Sequence, residues 1–155
     1  MKNIISIMLI AAFGVMLMFT GCKEEEETPD PLQMVTVSGT VECELDLTNA
    51  NAEDVPNGIK LVFRINSRDL VQNPIVGYTY QVLQYEATVS DGTYSIQLPT
   101  AVHAGVPVTI TPVDFQAEQT QLDNSEDTKT YMAAPIGIAT QEGERYFENI
   151  TYGAF

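Results

Sequence analysis

Residues 34–48 read MVTVSGTVECELDLT, and this stretch decides the fold class. Apolar or small residues occupy every second position from Val35 to Leu47, and polar residues fill the positions between them. A β-strand sends successive side chains to opposite faces, so the alternation predicts one buried and one solvent-exposed face. Gly39 falls in the buried row, which indicates a bulge or the close approach of another backbone segment.

The same period of two recurs along the rest of the chain. It predicts strands near residues 59–66, 83–89, 94–98, 106–112 and 146–152. Ser90-Asp91-Gly92-Thr93 predicts a hairpin turn, because Asp-Gly readily adopts positive φ. Segments 67–77 and 122–142 lack a pattern, and we expect long loops or irregular edge segments there. Short strands at this spacing predict an all-β, Ig-like antiparallel sandwich of about seven strands.

Two stretches of this pattern resemble carboxypeptidase regulatory-like domains. Val37–Val41 resembles their opening strand, and Asp91–Pro99 (DGTYSIQLP) resembles their hairpin, although the Asp and Gly are adjacent here. The run from Val106 to Gln121 resembles the strand pair that follows. The resemblance implies a transthyretin-like, prealbumin-type sandwich that serves as an accessory module without catalytic residues.

Acidic residues outnumber basic ones by 21 to 7, which gives a formal net charge of −14. Proteins bind nucleic acid through Lys and Arg side chains that displace phosphate counterions. The composition therefore argues against a nucleic-acid partner, and also against attraction to an anionic membrane surface. It is typical of a soluble, self-repelling surface domain.

Residues 1–21 have the organisation of an export signal, with Lys2 before an apolar run. Ile4–Phe19 is about 16 residues long, shorter than the roughly 20 that span a bilayer, which favours a cleaved signal over an uncleaved helical anchor. Phe19-Thr20-Gly21-Cys22 resembles the lipobox of bacterial lipoproteins, although Phe19 stands where Leu is commonest. The resemblance implies that the Cys22 sulfur is acylated and that chains such as palmitate anchor the protein in membrane lipid.

A base followed by four acids comes directly after the candidate lipidation site. These residues are Lys23, Glu24, Glu25, Glu26 and Glu27. They resemble the surface-export signal of bacteroidete lipoproteins, which implies an outer-membrane protein exposed at the cell surface. By its charge alone the run is a solvated acidic tether, and the two interpretations are compatible. We expect segment 22–33, with its prolines, to be a spacer before one folded domain at 34–155.

Few side chains in the domain suggest catalysis or metal binding. We expect His103, the only histidine, in an exposed loop. Cys43 falls in the buried row, which predicts an inert thiol. Asp46–Asp54 and Asp123–Asp127 carry oxygens of the kind calcium prefers, but neither fits the helix-loop-helix calcium pattern, so we expect plain acidic loops. The sequence therefore predicts no enzyme, no cofactor and no metal site.

Aromatic residues carry the remaining functional signal. Tyr78, Tyr80, Tyr85 and Tyr94 cluster around the middle strands, where an exposed row would let sugar rings stack on aromatic faces. Ordinary cross-strand packing is the alternative. Two functions stay open: a structural or interaction module that contacts an extracellular protein, and a glycan-binding accessory lipoprotein of a polysaccharide-uptake system. An enzyme would need a pocket that holds His103 or two convergent carboxylates.

Overall fold

The computed structural model describes residues 32–155 and folds them into two packed β-sheets. The predicted all-β sandwich is therefore confirmed. The predicted signal segment, the candidate lipidation site Cys22 and the acidic run after it lie outside the described residues. Within residues 32–155, no helix has the length and hydropathy that a membrane crossing requires.

Eleven strands form the two sheets, where the sequence predicted about seven. The first sheet contains β1 (Gln33–Cys43), β2 (Glu53–Asp54), β5 (Thr93–Thr100), β7 (Phe115–Thr120), β8 (Glu126–Met132), β10 (Arg145–Phe147) and β11 (Ile150–Ala154). The second sheet contains β3 (Lys60–Asn66), β4 (Val82–Thr88), β6 (Val106–Pro112) and β9 (Ile136–Thr140), in the order β4-β3-β6-β9. A short 3-10 helix, Ser67–Leu70, follows β3.

β1 is the central strand of the first sheet and pairs along both of its edges. On one side it runs antiparallel to β5, with Val35 opposite Leu98. On the other side it runs parallel to β10 and β11, with Thr36 opposite Arg145 and Val41 opposite Ile150. The offset between the paired residue numbers is the same in β10 and β11, so the last strand keeps one register on β1 although it is interrupted at residues 148–149.

Gly39 lies opposite that interruption, and its missing side chain makes the interruption possible. A Cβ atom at Gly39 would overlap the carbonyl oxygen of Glu148 and would lie 3.0 Å from the Tyr94 ring. The Glu148 amide still donates to the Ser38 carbonyl at 2.8 Å, and the Asn149 Oδ1 accepts bonds from the Thr40 amide at 3.1 Å and from the Thr40 hydroxyl at 2.9 Å. The close backbone approach predicted at Gly39 is therefore confirmed.

The core lies between the inner faces of the two sheets, as expected for an aligned sandwich. β1 and β6 alternate buried positions with more accessible ones, as their sequence patterns predict, and β3 does so except at Val62, which is buried as well. The buried aliphatic and Phe side chains of these strands are Val35, Val37, Val41, Leu61, Val62, Phe63, Ile65, Val106, Val108 and Ile110. Tyr94, Leu98, Tyr131, Ile150 and Tyr152 of the first sheet also belong to the core, as do Cys43, Val55, Ala87, Val89 and Ala101.

The predicted hairpin at residues 90–93 is wrong in its strand pairing, although the tight turn forms. Ser90 and Thr93 exchange main-chain bonds of 3.0 Å, and Asp91 and Gly92 both adopt positive φ. However, β4 before the turn belongs to the second sheet, and β5 after it pairs with β1 in the first sheet. β6 and β7 are likewise consecutive strands in different sheets. Local turn chemistry fixes a chain reversal but not the partner of each strand.

The prediction of irregular structure throughout residues 122–142 is also wrong. β8 and β9 fall in this segment, separated by residues 133–135. β8 has a charged, largely exposed start, and only Tyr131 is fully buried in it, so it shows no apolar alternation. The other unpatterned segment, residues 67–77, contains only the 3-10 helix and irregular backbone, as expected.

We predict that Gly39→Ala strongly destabilises the domain. The new methyl group would overlap main-chain atoms of Glu148, which move only if the last strand shifts, so we expect a loss above about 3 kcal/mol in the free energy of unfolding. Urea denaturation of the purified full chain measures it. The control is Gly137→Ala in β9, where no atom lies within 4 Å of the added carbon and φ is ordinary. A loss at Gly39 no larger than at Gly137 would contradict the packing described.

Candidate functional site

The four tyrosines singled out from the sequence do not share one surface. Tyr94 is 4% exposed, and its hydroxyl donates to the Glu148 carbonyl at 3.0 Å. Tyr85 is half-buried and packs against the core. Tyr78 is 63% exposed and contacts Tyr80 edge to face, with ring centroids 4.9 Å apart. Only this pair is placed to meet a ligand, and Tyr94 leaves the candidate set.

The single histidine and the buried thiol occupy the places expected of them. His103 is exposed in the loop between β5 and β6. Cys43 is fully buried at the end of β1. Burial, with smaller contributions from Glu53 and Glu44, raises the pKa of the Cys43 thiol to about 11. A thiol held in this protonated form is a poor nucleophile.

The two acidic loops are turns whose carboxylates bond to their own backbone. Asp46 Oδ1 accepts from the Thr48 amide at 2.9 Å, and Asp123 Oδ1 accepts from the Ser125 amide at 3.0 Å. Hydrogen bonds from these hydroxyl residues lower the pKa of both carboxyl groups. Within residues 32–155, no three His, Cys, Asp or Glu side chains gather closely enough to hold a metal ion.

Residues 67–81 form a loop that is closed at its base, and we refer to it as the 67–81 loop. The Ser67 amide donates to the Gln81 carbonyl at 2.8 Å, and the Gln81 amide donates to the Ser67 hydroxyl at 2.9 Å. Leu70 packs against the core at one end of the loop. The 3-10 helix that begins the loop is capped by Asn66, whose side chain accepts from the Arg68 amide at 3.0 Å. These hydrogen bonds and the Leu70 contact attach the loop to the sandwich.

The tip of the 67–81 loop presents apolar side chains to solvent. Ile75 is 68% exposed and Val76 is fully exposed. The Tyr78 amide donates to the Ile75 carbonyl at 3.3 Å across a turn in which Gly77 has a φ of 83°. The Ile75 amide donates to the Tyr80 hydroxyl at 2.8 Å, which braces the turn from below. A hydrogen-bonded turn therefore holds these apolar groups outward, where none is buried by the domain itself.

A groove of about 330 Å³ opens beside this loop on the outer face of the second sheet. β3 and β6 form its floor, since Arg64 pairs with Thr109 in antiparallel register and both side chains point outward. Its lining includes Arg64, Asn66, Asp69, Val82, Pro107 and Thr109. No local sequence pattern predicts this groove, because its residues come from three strands and the 3-10 helix and form no linear motif.

The groove contains two charged groups that do not pair with each other. The Arg64 guanidinium donates to the Thr111 hydroxyl at 3.2 Å. Among the described residues, ion pairs join Lys60 to Glu86 and Lys129 to Asp127, and neither Arg64 nor Asp69 takes part in one. The guanidinium keeps further donors besides the one bonded to Thr111, and Arg64 and Asp69 both belong to the groove lining.

Comparison with known proteins gives no family. No family model matches the chain, and no curated protein matches it. Among solved structures, the shaft pilin SpaA from Lactobacillus rhamnosus GG aligns with 80% of the chain at 9% identity and a TM-score of 0.40, and the alignment spans about half, 52%, of the pilin chain. The major plantain pollen allergen Pla l 1 aligns with 78% of the chain and 94% of its own length at 13% identity and a TM-score of 0.36. Similarities at these scores support no argument about this chain.

We predict that two buried tyrosines make the domain lose stability as the pH rises above about 10, in addition to the loss that the raised pKa of the Cys43 thiol causes from about pH 9. Burial, with a smaller contribution from Glu148, raises the pKa of Tyr94 to about 12; burial, followed by Asp114 and Cys43, does the same for Tyr152. The unfolded chain releases these protons near pH 10. The stabilisation is therefore complete below pH 10 and is lost as the pH approaches 12, by about 1.4 kcal/mol for each unit of pKa difference.

Urea denaturation between pH 8 and pH 11.5, with tyrosinate absorbance followed in parallel, measures this loss. Tyr152→Phe should reduce the alkaline loss, whereas Tyr78→Phe at the exposed loop should leave it unchanged. If all tyrosines ionise together near pH 10 while the chain stays folded, the prediction is wrong.

Proposed function

We propose that this protein is a lipid-anchored, surface-exposed outer-membrane lipoprotein whose sandwich acts as a non-catalytic interaction module. The observation that carries the proposal is the 67–81 loop, which presents Ile75, Val76 and Tyr78 to solvent from a hydrogen-bonded base. Exposed apolar groups gathered at one place on a soluble domain favour a binding role, because solvation of such groups is costly.

The anchor part of the proposal rests on sequence. Phe19-Thr20-Gly21-Cys22 has the lipobox pattern, and Cys43, the other cysteine, is buried in the core. Two or more acyl chains on one sulfur-bearing residue hold a protein stably in a membrane. Lys23 and the four glutamates after it support export to the cell surface. On this proposal the partner of the 67–81 loop is an extracellular protein.

We also propose that the sandwich is a divergent relative of carboxypeptidase regulatory-like domains. Val37–Val41 and the tight turn at Asp91-Gly92 support it. β4 and β5, which flank this turn, pair in different sheets. This relationship would explain the sequences of the opening strand and of the turn. It implies no function for the 67–81 loop.

Glycan binding through tyrosines is the second candidate, and one observation favours it. Tyr78 and Tyr80 form an exposed edge-to-face pair at the 67–81 loop. The pair offers one accessible ring, because the Tyr80 hydroxyl is engaged by the Ile75 amide and Tyr80 is half-buried. Protein contact uses the whole loop tip, which is why we place it first.

We predict that clickable palmitate labels the wild-type protein in growing cells and does not label Cys22→Ala. The thioether to the lipid forms at this sulfur, and no other accessible thiol replaces it. The matched control is Cys43→Ala, which should keep full labelling, since Cys43 lies in the core.

Surface exposure is tested in the same cells. Protease added to intact cells should digest the wild-type protein and spare a variant in which Glu24, Glu25, Glu26 and Glu27 are all alanine. Equal labelling of the Cys22→Ala and wild-type proteins would refute the anchor, and equal digestion of wild type and the alanine variant would refute the export signal.

We predict that a photo-crosslinking residue at position 76 joins the protein to one discrete partner at the cell surface. The Val76 side chain is fully exposed at the loop tip and lies within any contact made there. The control position is Thr88, which is exposed on β4. Ile75→Ser together with Tyr78→Ser should abolish the adduct, and the purified partner should bind the wild-type chain more tightly than this variant. Identical adducts from positions 76 and 88 would contradict the proposed contact.

A further inference from the structure

The groove beside the 67–81 loop, with Arg64 and Asp69 in its lining, has a composition that selects among ligand classes. A purely anionic ligand would meet the Asp69 carboxylate, and a purely cationic one would meet the Arg64 guanidinium. Either would place like charges together, which is unfavourable. A neutral ligand that both donates and accepts hydrogen bonds satisfies both groups at once.

Donors and acceptors are both available around the two charges. Asn66 uses its Oδ1 to cap the 3-10 helix, and its two Nδ2 donors take no part in this cap. Thr109 supplies a hydroxyl beside Arg64 that can donate and accept. Four neighbouring side chains thus provide the guanidinium and amide donors and the carboxylate and hydroxyl acceptors that vicinal hydroxyl groups require.

Apolar surface flanks this polar set. Val82 is 62% exposed at the start of β4, opposite Asn66, and Pro107 is exposed on β6. A pyranose ring has hydroxyl groups around its edge and C–H bonds on its faces, so polar and apolar parts both find a match. A volume of about 330 Å³ lies at the lower end of the range of ligand pockets, roughly 300–1,000 Å³, and suits one sugar residue.

We propose that this groove binds a neutral hexose residue of a glycan, with Arg64 and Asp69 as the charged partners of its hydroxyl groups. The site differs from the tyrosine pair and goes beyond the interaction module proposed above. It depends neither on Cys22 nor on the apolar loop tip. Its failure would therefore leave the labelling and crosslinking results intact.

An array of neutral, uronate-bearing and amino-sugar oligosaccharides tests the proposal on the full chain. The chain should be purified in a polyoxyethylene detergent, because alkyl glycosides would compete for the groove. We expect binding to at least one neutral oligosaccharide, followed by titration calorimetry of that compound. Arg64→Ala and Asp69→Asn should each weaken binding about tenfold or more, the effect of losing a hydrogen bond to a charged group.

The control is Arg145→Ala, which removes an exposed arginine from the outer face of the first sheet and should leave the dissociation constant unchanged. Arg64→Lys keeps the charge but not the planar fork, and we expect it to restore only part of the affinity. Thermal unfolding confirms that each variant is folded. Three results would overturn the proposal: no neutral oligosaccharide binds at about 10 mM, the millimolar range of weak sites; only charged sugars bind; or binding survives both groove substitutions.

Discussion

The close approach of Gly39 to the Glu148 carbonyl is the contact on which the first sheet depends. β1 is paired on both edges, so its position fixes β5 on one side and β10 and β11 on the other. The last strand keeps a single register along β1 only because no side chain at position 39 pushes Glu148 away. The same carbonyl accepts the Tyr94 hydroxyl, so one glycine, one carbonyl and one buried ring join three strands.

Buried tyrosines extend this arrangement to the other irregular segments. Tyr131 donates to the Glu44 carbonyl at 2.9 Å, just beyond the end of β1, and Tyr152 donates to the Val113 carbonyl at 3.0 Å, between β6 and β7. Both carbonyls lie outside the strands, and each hydroxyl supplies a hydrogen bond that the sheets do not; the Glu44 carbonyl also accepts from the Gln119 side chain at 2.8 Å. The Phe115 ring stacks on the Tyr131 ring, with ring centroids 5.1 Å apart, and fills the space between Tyr131 and Tyr152. These bonds hold the chain segments that follow β1 and β6 against the core.

Alternation in the sequence predicted the core strands because it reports burial one residue at a time. It located β1, β3 and β6 and placed Cys43 and Gly39 in the buried row. It did not assign strand partners: the turn at Asp91-Gly92 connects two sheets, and β8 is concealed by its charged residues. The candidate sites were likewise predictable only where they depend on local burial and not on long-range packing. Burial of Tyr94 depends on long-range packing against Phe63 and Glu148, and the groove is assembled by strand register that no local pattern contains.

The sandwich displays two surfaces, an apolar loop tip and a polar groove beside it. Both surfaces lie on the second sheet, which packs against the first sheet, whose register Gly39 permits. Nuclear Overhauser spectroscopy of the isotope-labelled chain tests that geometry most directly. The account predicts a strong contact between a Gly39 α-proton and the Tyr94 ring, together with contacts from Arg145 to Thr36 and from Ile150 to Val41. Contacts that place residues 145–152 beside any strand other than β1, with none between Gly39 and Tyr94, would contradict it.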